Sequence, residues 1–283
     1  MGPSRLARVA ARCRALAVGS TVLFSAGSTA CSDGAPSLIL AATTSTYDSG
    51  LLESLVGDFQ SSHPERSVRT IVVGSGEALE LGKRGDVDVL IVHAPAAEDR
   101  FVREGHSARR TPLMINGFVL VGPEGDPAGV SGLDPVAALG RIASLGAAFV
   151  SRGDSSGTHE RELALWREAG VTPERPWYLE TGQGQGTSLQ VASEREAYAL
   201  TDRATFDVLS SILDLEPLVE GGPSLLNPYS VIVPTRAAHA VEAGELADWL
   251  TSEAGRQSIE SFRLPRTNRP LFTPVGPEAA GGP

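Results

Sequence analysis

Ser151-Arg152-Gly153-Asp154-Ser155-Ser156-Gly157-Thr158-His159-Glu160 lies between a short apolar run, Ala147 to Val150, and an amphipathic pattern from about Gly157 to Ala169. The order is strand, polar turn, helix start, which is the repeating joint of an α/β fold. The first backbone N–H groups of a helix have no intrahelical partners and carry the positive end of its dipole. Small residues such as Ser155, Ser156 and Gly157 leave that end open, and the hydroxyls add donors. Arg152 supplies a planar cation suited to oxyanions, and Asp154, two residues on, is placed to hold it. The stretch therefore predicts an anion site.

Two other readings fit the same residues. Ser, Gly and Asp before a helix serve as turns and caps, and Arg-x-Asp is often a surface ion pair. Gly153 to Gly157 also looks like the nucleophile loop of a serine protease. That fold needs an all-β chain with a His and an Asp upstream, and here the loop opens a helix.

The joint recurs on both sides. Upstream, apolar runs at Leu38–Ala42, Val68–Val73, Val87–Val92 and Met114–Val121 read as strands. Asp48–Phe59, Ser75–Arg84 and Ala96–Arg103 carry helical periodicity. Around and beyond the loop come helix Asp134–Leu145, strand Ala147–Val150, strand Trp177–Glu180, helix Gly186–Glu194, strand Ala197–Thr201 and helix Arg203–Leu213. The strand Tyr229–Val233 and helices Ala240–Leu250 and Glu253–Phe262 complete the pattern, and the Pro/Gly-rich end 276–283 is expected to fray. Long strands near 116–123 and 227–233 would join two α/β units around a cleft. Ligands of open α/β sheets sit beyond the carboxyl ends of strands. Three polar loops fall at such ends: Thr43-Thr44-Ser45-Thr46, Gly74-Ser75-Gly76 and the Arg152 loop. As plain caps they would each contribute about 1 kcal/mol.

The 283 residues, with 41% hydrophobic and 20% charged side chains, are ordinary for a globular protein of one or two domains. A formal net charge of −10 argues against nucleic acid. Arg5, Arg8, Arg12 and Arg14 precede the apolar run Ala15–Ala26 and the small residues Ser28, Thr29 and Ala30, the pattern of a secretory signal over 1–30. Cys31 follows directly, resembling a bacterial lipoprotein cleavage site, with Ser28 where a Leu is more usual. Lipidation at Cys31 would anchor the protein to a membrane through the polar tether 31–37. Cleavage there removes four arginines and no acids, leaving 20 basic against 34 acidic side chains, a net charge of −14. Cys13 and Cys31 are the only cysteines, so the folded region holds neither disulfide nor thiolate ligand.

A resemblance emerges once several segments are taken together. Thr43 to Gly50, Gly85-Asp86-Val87-Asp88-Val89-Leu90, Val92-His93-Ala94-Pro95, the Ser151–Glu160 stretch and Tyr178 to Gly184 are similar, in order, to the solute-binding proteins of tungstate ABC transporters. The resemblance runs from Leu38 to about Pro234. It implies a two-lobed type II periplasmic-binding-protein fold in the α/β class, each lobe a mixed sheet flanked by helices, joined by two crossover strands. Residues 38–119 and 229–275 would form lobe I and 120–228 lobe II. It also implies a monomer, not an enzyme, that hands an oxyanion to an ABC permease. The Arg152-x-Asp154-x-Ser156-Gly157-Thr158 pattern further resembles the anion loop of phosphate-binding proteins, which assigns the oxyanion to Arg152, Ser156, Gly157 and Thr158. With Thr44, Ser45, Ser75 and Gly76 from the other loops, and Asp154 behind Arg152, these are the candidate site. Gln185 departs from the pattern, standing where an apolar residue such as Met is expected.

No cofactor is implied. His63, His93, His106, His159 and His239 are scattered, and His159-Glu160 lacks the second His of a zinc helix. His93, at a strand end, is expected to cap, with lining of the cleft as the alternative. Gly182-Gln183-Gly184-Gln185-Gly186 lacks dinucleotide spacing and reads as a flexible turn at the cleft rim. A secreted hydrolase using Ser155 or Ser156 with His159 is the alternative from another class, but no carboxylate is set to orient the imidazole. Among anions, tungstate leads through the resemblance alone; molybdate, sulfate and phosphate stay open. The first three carry no proton at neutral pH and need only donors. Hydrogen phosphate benefits from a carboxylate acceptor, for which Asp48 and Glu77 are the nearest in sequence.

Overall fold

Strand β1 (Ser37–Thr43) lies between two parallel neighbours, β2 (Ser67–Val73) and β3 (Val89–Val92), with Leu40 opposite both Thr70 and Val89. Strands covered on both faces read as continuous apolar runs, which is why Leu38–Ala42 and Val89–Val92 are legible in the sequence. The computed structural model describes residues 37–264, 268 and 270–276. The expected signal segment, Cys31, the tether up to residue 36 and the tail from 277 lie outside them.

Helices α1 (Thr44–Asp48), α2 (Leu51–Ser62), α3 (Ser75–Arg84) and α4 (Pro95–Arg103) follow the first three strands. β4 (Ser107–Pro123) is the long strand of the fold. Its first part pairs antiparallel with β9 (Leu226–Pro234), from Ser107 opposite Pro234 to Gly117 opposite Leu226. β9 then joins β3, also antiparallel. The rest of β4, Phe118 to Pro123, pairs with β7 (Ala199–Asp202) and β8 (Leu215–Glu220). β10 (Thr273–Pro274) adds to β4 at Met114 and Ile115. A second, parallel sheet is made of β5 (Phe149–Ser151) and β6 (Tyr178–Glu180), and Phe149 also bridges to Tyr198. Around these pack α5 (Pro135–Leu145), α6 (Gly157–Glu168), α7 (Gln185–Glu194), α8 (Arg203–Leu209), α9 (Ala240–Thr251) and α10 (Glu253–Ser261).

Apolar clusters cover both faces of each half. Leu38, Leu55, Phe59, Tyr229 and Leu246 fill one side of the β1–β3–β9 sheet, and Leu79, Leu90, Phe101 and Ile232 the other. Along β4 the side chains alternate as pleating requires. Phe118 and Leu120 join Phe149, Trp166 and Tyr198, whereas Val119 and Val121 join Val150, Leu189 and Phe206.

Several elements differ from the sequence reading. Ser107–Pro112 extends β4 well before the expected start at Met114; its polar composition gives no strand signal, and pairing with β9 imposes the conformation. β8 was not expected, because Pro217 interrupts its apolar run. Thr44–Thr46, expected as loop, opens the short helix α1, the helix expected over Asp48–Phe59 begins at Leu51 after the left-handed Gly50, and the helix expected over Arg203–Leu213 tightens into a 3-10 turn at Ser210–Ile212.

Candidate functional site

β5 ends at Ser151, and the chain turns through two left-handed residues before α6, Gly153 at φ 62° and Ser155 at φ 57°. A Cβ at Gly153 would lie 2.8 Å from that of Glu180, so glycine is required there on two counts. Arg152 is 5% exposed. Its Nε and Nη2 donate to Asp154 Oδ2 at 3.0 and 2.5 Å, and Nη1 donates to Gln185 Oε1 at 3.4 Å. Asp154 Oδ1 accepts from the Ser156 N–H, so one carboxylate ties the guanidinium to the helix start. A pair this deeply placed is unlike the surface ion pair of the alternative reading.

Ser156 caps α6, its Oγ accepting from the His159 N–H at 3.3 Å. The N–H groups of Gly157 and Thr158 belong to the first turn, where no intrahelical acceptor exists. Thr158 Oγ1 and His159 Nε2 are buried without a hydrogen-bond partner. Burial lowers the His159 pKa, and Nδ1 accepts from the Ser155 N–H at 3.0 Å, so the ring proton sits on Nε2. Leaving such groups unpaired costs about 1–3 kcal/mol each. The loop before α6 thus carries a buried cation, and the first turn after it carries orphan polar groups. Neither the Ser155 nor the Ser156 hydroxyl bonds to the imidazole, so the nucleophile arrangement weighed from the sequence is not formed.

The turn between β2 and α3 packs directly on this loop. Cβ atoms at Gly76 and Gly74 would lie 3.1 Å from Ser155 O and 3.8 Å from Ser156 Cβ. Ser75 is fully buried, and its Oγ accepts from the His93 N–H at 3.2 Å. At Gly157 a Cβ would fall 2.3 Å from His93 O, so the helix start abuts the end of β3 and admits only glycine. Ser75, Gly76, Ser156 and Gly157 are therefore gathered at one place.

Thr44, half-buried, opens α1, and Ser45 beside it is buried. Ser45 Oγ lies 2.7 Å from Tyr229 Oη and 3.1 Å from Thr43 Oγ1. The link from here to Arg152 is indirect. Asn227 Nδ2 donates to Tyr229 Oη at 3.4 Å. Asn116, opposite Asn227 across β4 and β9, donates through Nδ2 to Asp202 Oδ1 at 3.4 Å, and the Asp202 carboxyl lies in the field of Arg152. The charges of Asp202 and Arg152 also both reach Asp48 at the end of α1. Asp154 and Asp202 direct their oxygens to internal donors, the latter to Thr205 N and Oγ1 as well as Asn116.

Residues 28–254 match the model of the PBP superfamily domain. The chain belongs to the PBP superfamily. Within the superfamily it groups with tungstate ABC transporter binding proteins. The tungstate-binding protein TupA of Peptoclostridium acidaminophilum is 41% identical over 245 residues, covering 84% of this chain and 85% of the relative. The structure of the tungstate ABC transporter from Geobacter sulfurreducens is 43% identical with a TM-score of 0.73, covering 80% of this chain and 98% of that one. That of TupA from Desulfovibrio alaskensis G20 is 41% identical with a TM-score of 0.72, covering 86% and 100%.

The candidate site of this PBP-superfamily chain also takes in residues that the sequence does not single out. Asn116, Asp202, Asn227 and Tyr229 are all buried beside the candidate loops. Their one sequence signal is polarity inside otherwise apolar strand segments. Gln185, noted as a departure, is not in a flexible turn. It is the buried first residue of α7, bonded to Arg152 through Oε1 and to Leu200 O through Nε2. His93 does not cap; it is buried, its pKa pushed down to about 4 chiefly by burial, and Nδ1 bonds to Asn227 Oδ1 at 2.8 Å. Among the described residues no cluster of His, Cys, Asp and Glu could hold a metal ion.

Proposed function

We propose that this chain captures a tetrahedral oxyanion, tungstate in the first instance, and delivers it to the permease of an ABC importer. The observation that carries the reading is the orphan Thr158 hydroxyl, buried in the first turn of α6, which directly follows the loop of the buried, carboxylate-held Arg152. Arg152, Ser156, Gly157 and Thr158 supply charge and donors from one side, with Ser75, Gly76, Thr44 and Ser45 opposite them. Asp154 holds Arg152 in place. Of the nearby carboxylates, Asp154 and Asp202 are engaged internally, which suits a ligand needing only donors, and Asp48 is the one a protonated anion would need as acceptor. The 41–43% identity to proteins named for tungstate supports that anion over molybdate, sulfate and phosphate.

In this reading 38–119 with 229–275, and 120–228, act as lobes I and II, with the anion between them and β4 and β9 as crossovers. The protein works as an exported monomer, lipid-anchored at Cys31 after loss of 1–30. Calorimetric titration of desalted protein with tungstate, molybdate, sulfate and phosphate tests the assignment; tungstate should bind most tightly, and heat from none of the four removes it. Cys31→Ala should release the protein from membranes with anion affinity unchanged. Retention of that variant would mean that the leader itself is the anchor.

A further inference from the structure

The hydroxyl of Ser45 is one end of a buried hydrogen-bond chain whose direction can be worked out atom by atom. His93 is neutral, and its Nδ1 faces Asn227 Oδ1, which can only accept, so the ring proton is on Nδ1. That orientation turns Asn227 Nδ2 toward Tyr229 Oη, at 3.4 Å. Asn116 turns its amide to other partners: Oδ1 accepts from the Gly117 N–H at 2.6 Å and Nδ2 donates to Asp202 Oδ1 at 3.4 Å. A phenol has two acceptor positions and one proton. Asn227 Nδ2 can only donate to Tyr229 Oη, so the phenol proton goes to Ser45 Oγ, 2.7 Å away. Ser45 Oγ is then an acceptor toward Tyr229, and its own proton is left for Thr43 Oγ1 or a ligand. Tyr229 is 1% exposed and Asn227 fully buried, so water does not scramble the order.

We propose that Tyr229 is a positioning residue for the oxyanion, holding Ser45 Oγ as a hydrogen-bond donor and so favouring anions without a proton over hydrogen phosphate. The inference rests on the reading of Ser45 as part of the anion site. Hydrogen phosphate must place its own proton on an acceptor, and with one of its two acceptor positions taken by Tyr229 and its own proton turned to the anion, Ser45 has only one left. Without the phenol hydroxyl, Ser45 can turn and accept.

The test is competition calorimetry on the full chain at pH 8 with tungstate and phosphate as probes, comparing wild type with Tyr229→Phe. Tungstate affinity should fall by roughly five- to tenfold, the size of one hydrogen bond. Phosphate affinity should hold or rise, so that the tungstate-to-phosphate ratio drops at least about fivefold. Asn227→Ala, which removes a donor to Tyr229 without touching Ser45, should lower the same ratio and carries the test if Phe at 229 destabilises the fold. The loss caused by Ser45→Ala should also shrink about threefold or more in the Tyr229→Phe background. Equal weakening of both anions, or an undiminished Ser45→Ala effect, would overturn the proposal and leave the oxyanion assignment standing. Absence of tungstate binding in wild type would instead remove the underlying assignment.

Discussion

Arg152 carries the only cationic side chain among the residues assigned to the site. It acts inside a chain whose net charge of −10 repels an anion at long range. Its guanidinium is desolvated, and Asp154 and Gln185 fix the plane of the fork. Replacing it by Ala should weaken tungstate binding by about 2–5 kcal/mol, the range for truncating one member of a buried charge pair. Arg152→Lys should recover part of that loss, because an ammonium cannot present two parallel donors. Asp154→Ala should cost less, since Asp154 acts through the orientation of Arg152 and the Ser156 N–H. Calorimetry of the three variants checks the ranking, and Arg152→Ala binding within twofold of wild type would sink the site.

At the scale of elements, α6 carries a buried acid one turn beyond the first turn proposed for the anion. Glu162 Oε1 accepts from Tyr178 Oη at 2.7 Å and from Trp166 Nε1 at 3.1 Å, and the residue is 1% exposed. Burial pushes its pKa up to about 7. The folded state therefore holds a proton that the unfolded state releases near the ordinary carboxylate value of 4.5. Stability owed to this group is full below the unfolded pKa, falls as pH rises toward about 7, and is level above it. The difference in melting temperature between wild type and Glu162→Gln should change in the variant's favour between pH 5 and pH 8. A pH-independent difference would mean that Glu162 does not titrate with the fold.

For the whole molecule, β4 is the strand that pairs in both halves, with β9 along its first part and with β7 and β8 beyond it, and the Gly74–Gly76 turn rests on the Ser155–Ser156 loop. An anion held by Arg152 from one side and by Ser75 and Ser45 from the other would add contacts available only when these loops meet. It would therefore shift the population toward a closed form. Small-angle scattering should show a smaller radius of gyration with tungstate than without it. An unchanged profile at saturating anion would remove the clamp and leave the binding residues in question only for their geometry.

Sequence by itself determined the α/β class, the helix start after Val150 and the Arg152–Asp154 pair. Each of these depends on residues within a turn or a strand of one another: apolar periodicity, an N-terminal cap, and two side chains two positions apart. Tertiary structure decided the rest. Ser107–Pro112 becomes strand only because β9 offers a partner, and Gly157 is obligatory only because His93 O stands where a Cβ would be. Tyr229 meets Ser45 across 184 positions, and Gln185 reaches Arg152 across 33. Nothing near those residues in the chain marks such contacts, since a polar side chain inside an apolar run is equally consistent with a loop, a cap or a buried network. Packing chooses among them, because a polar group removed from water must find its partner wherever the fold has placed one.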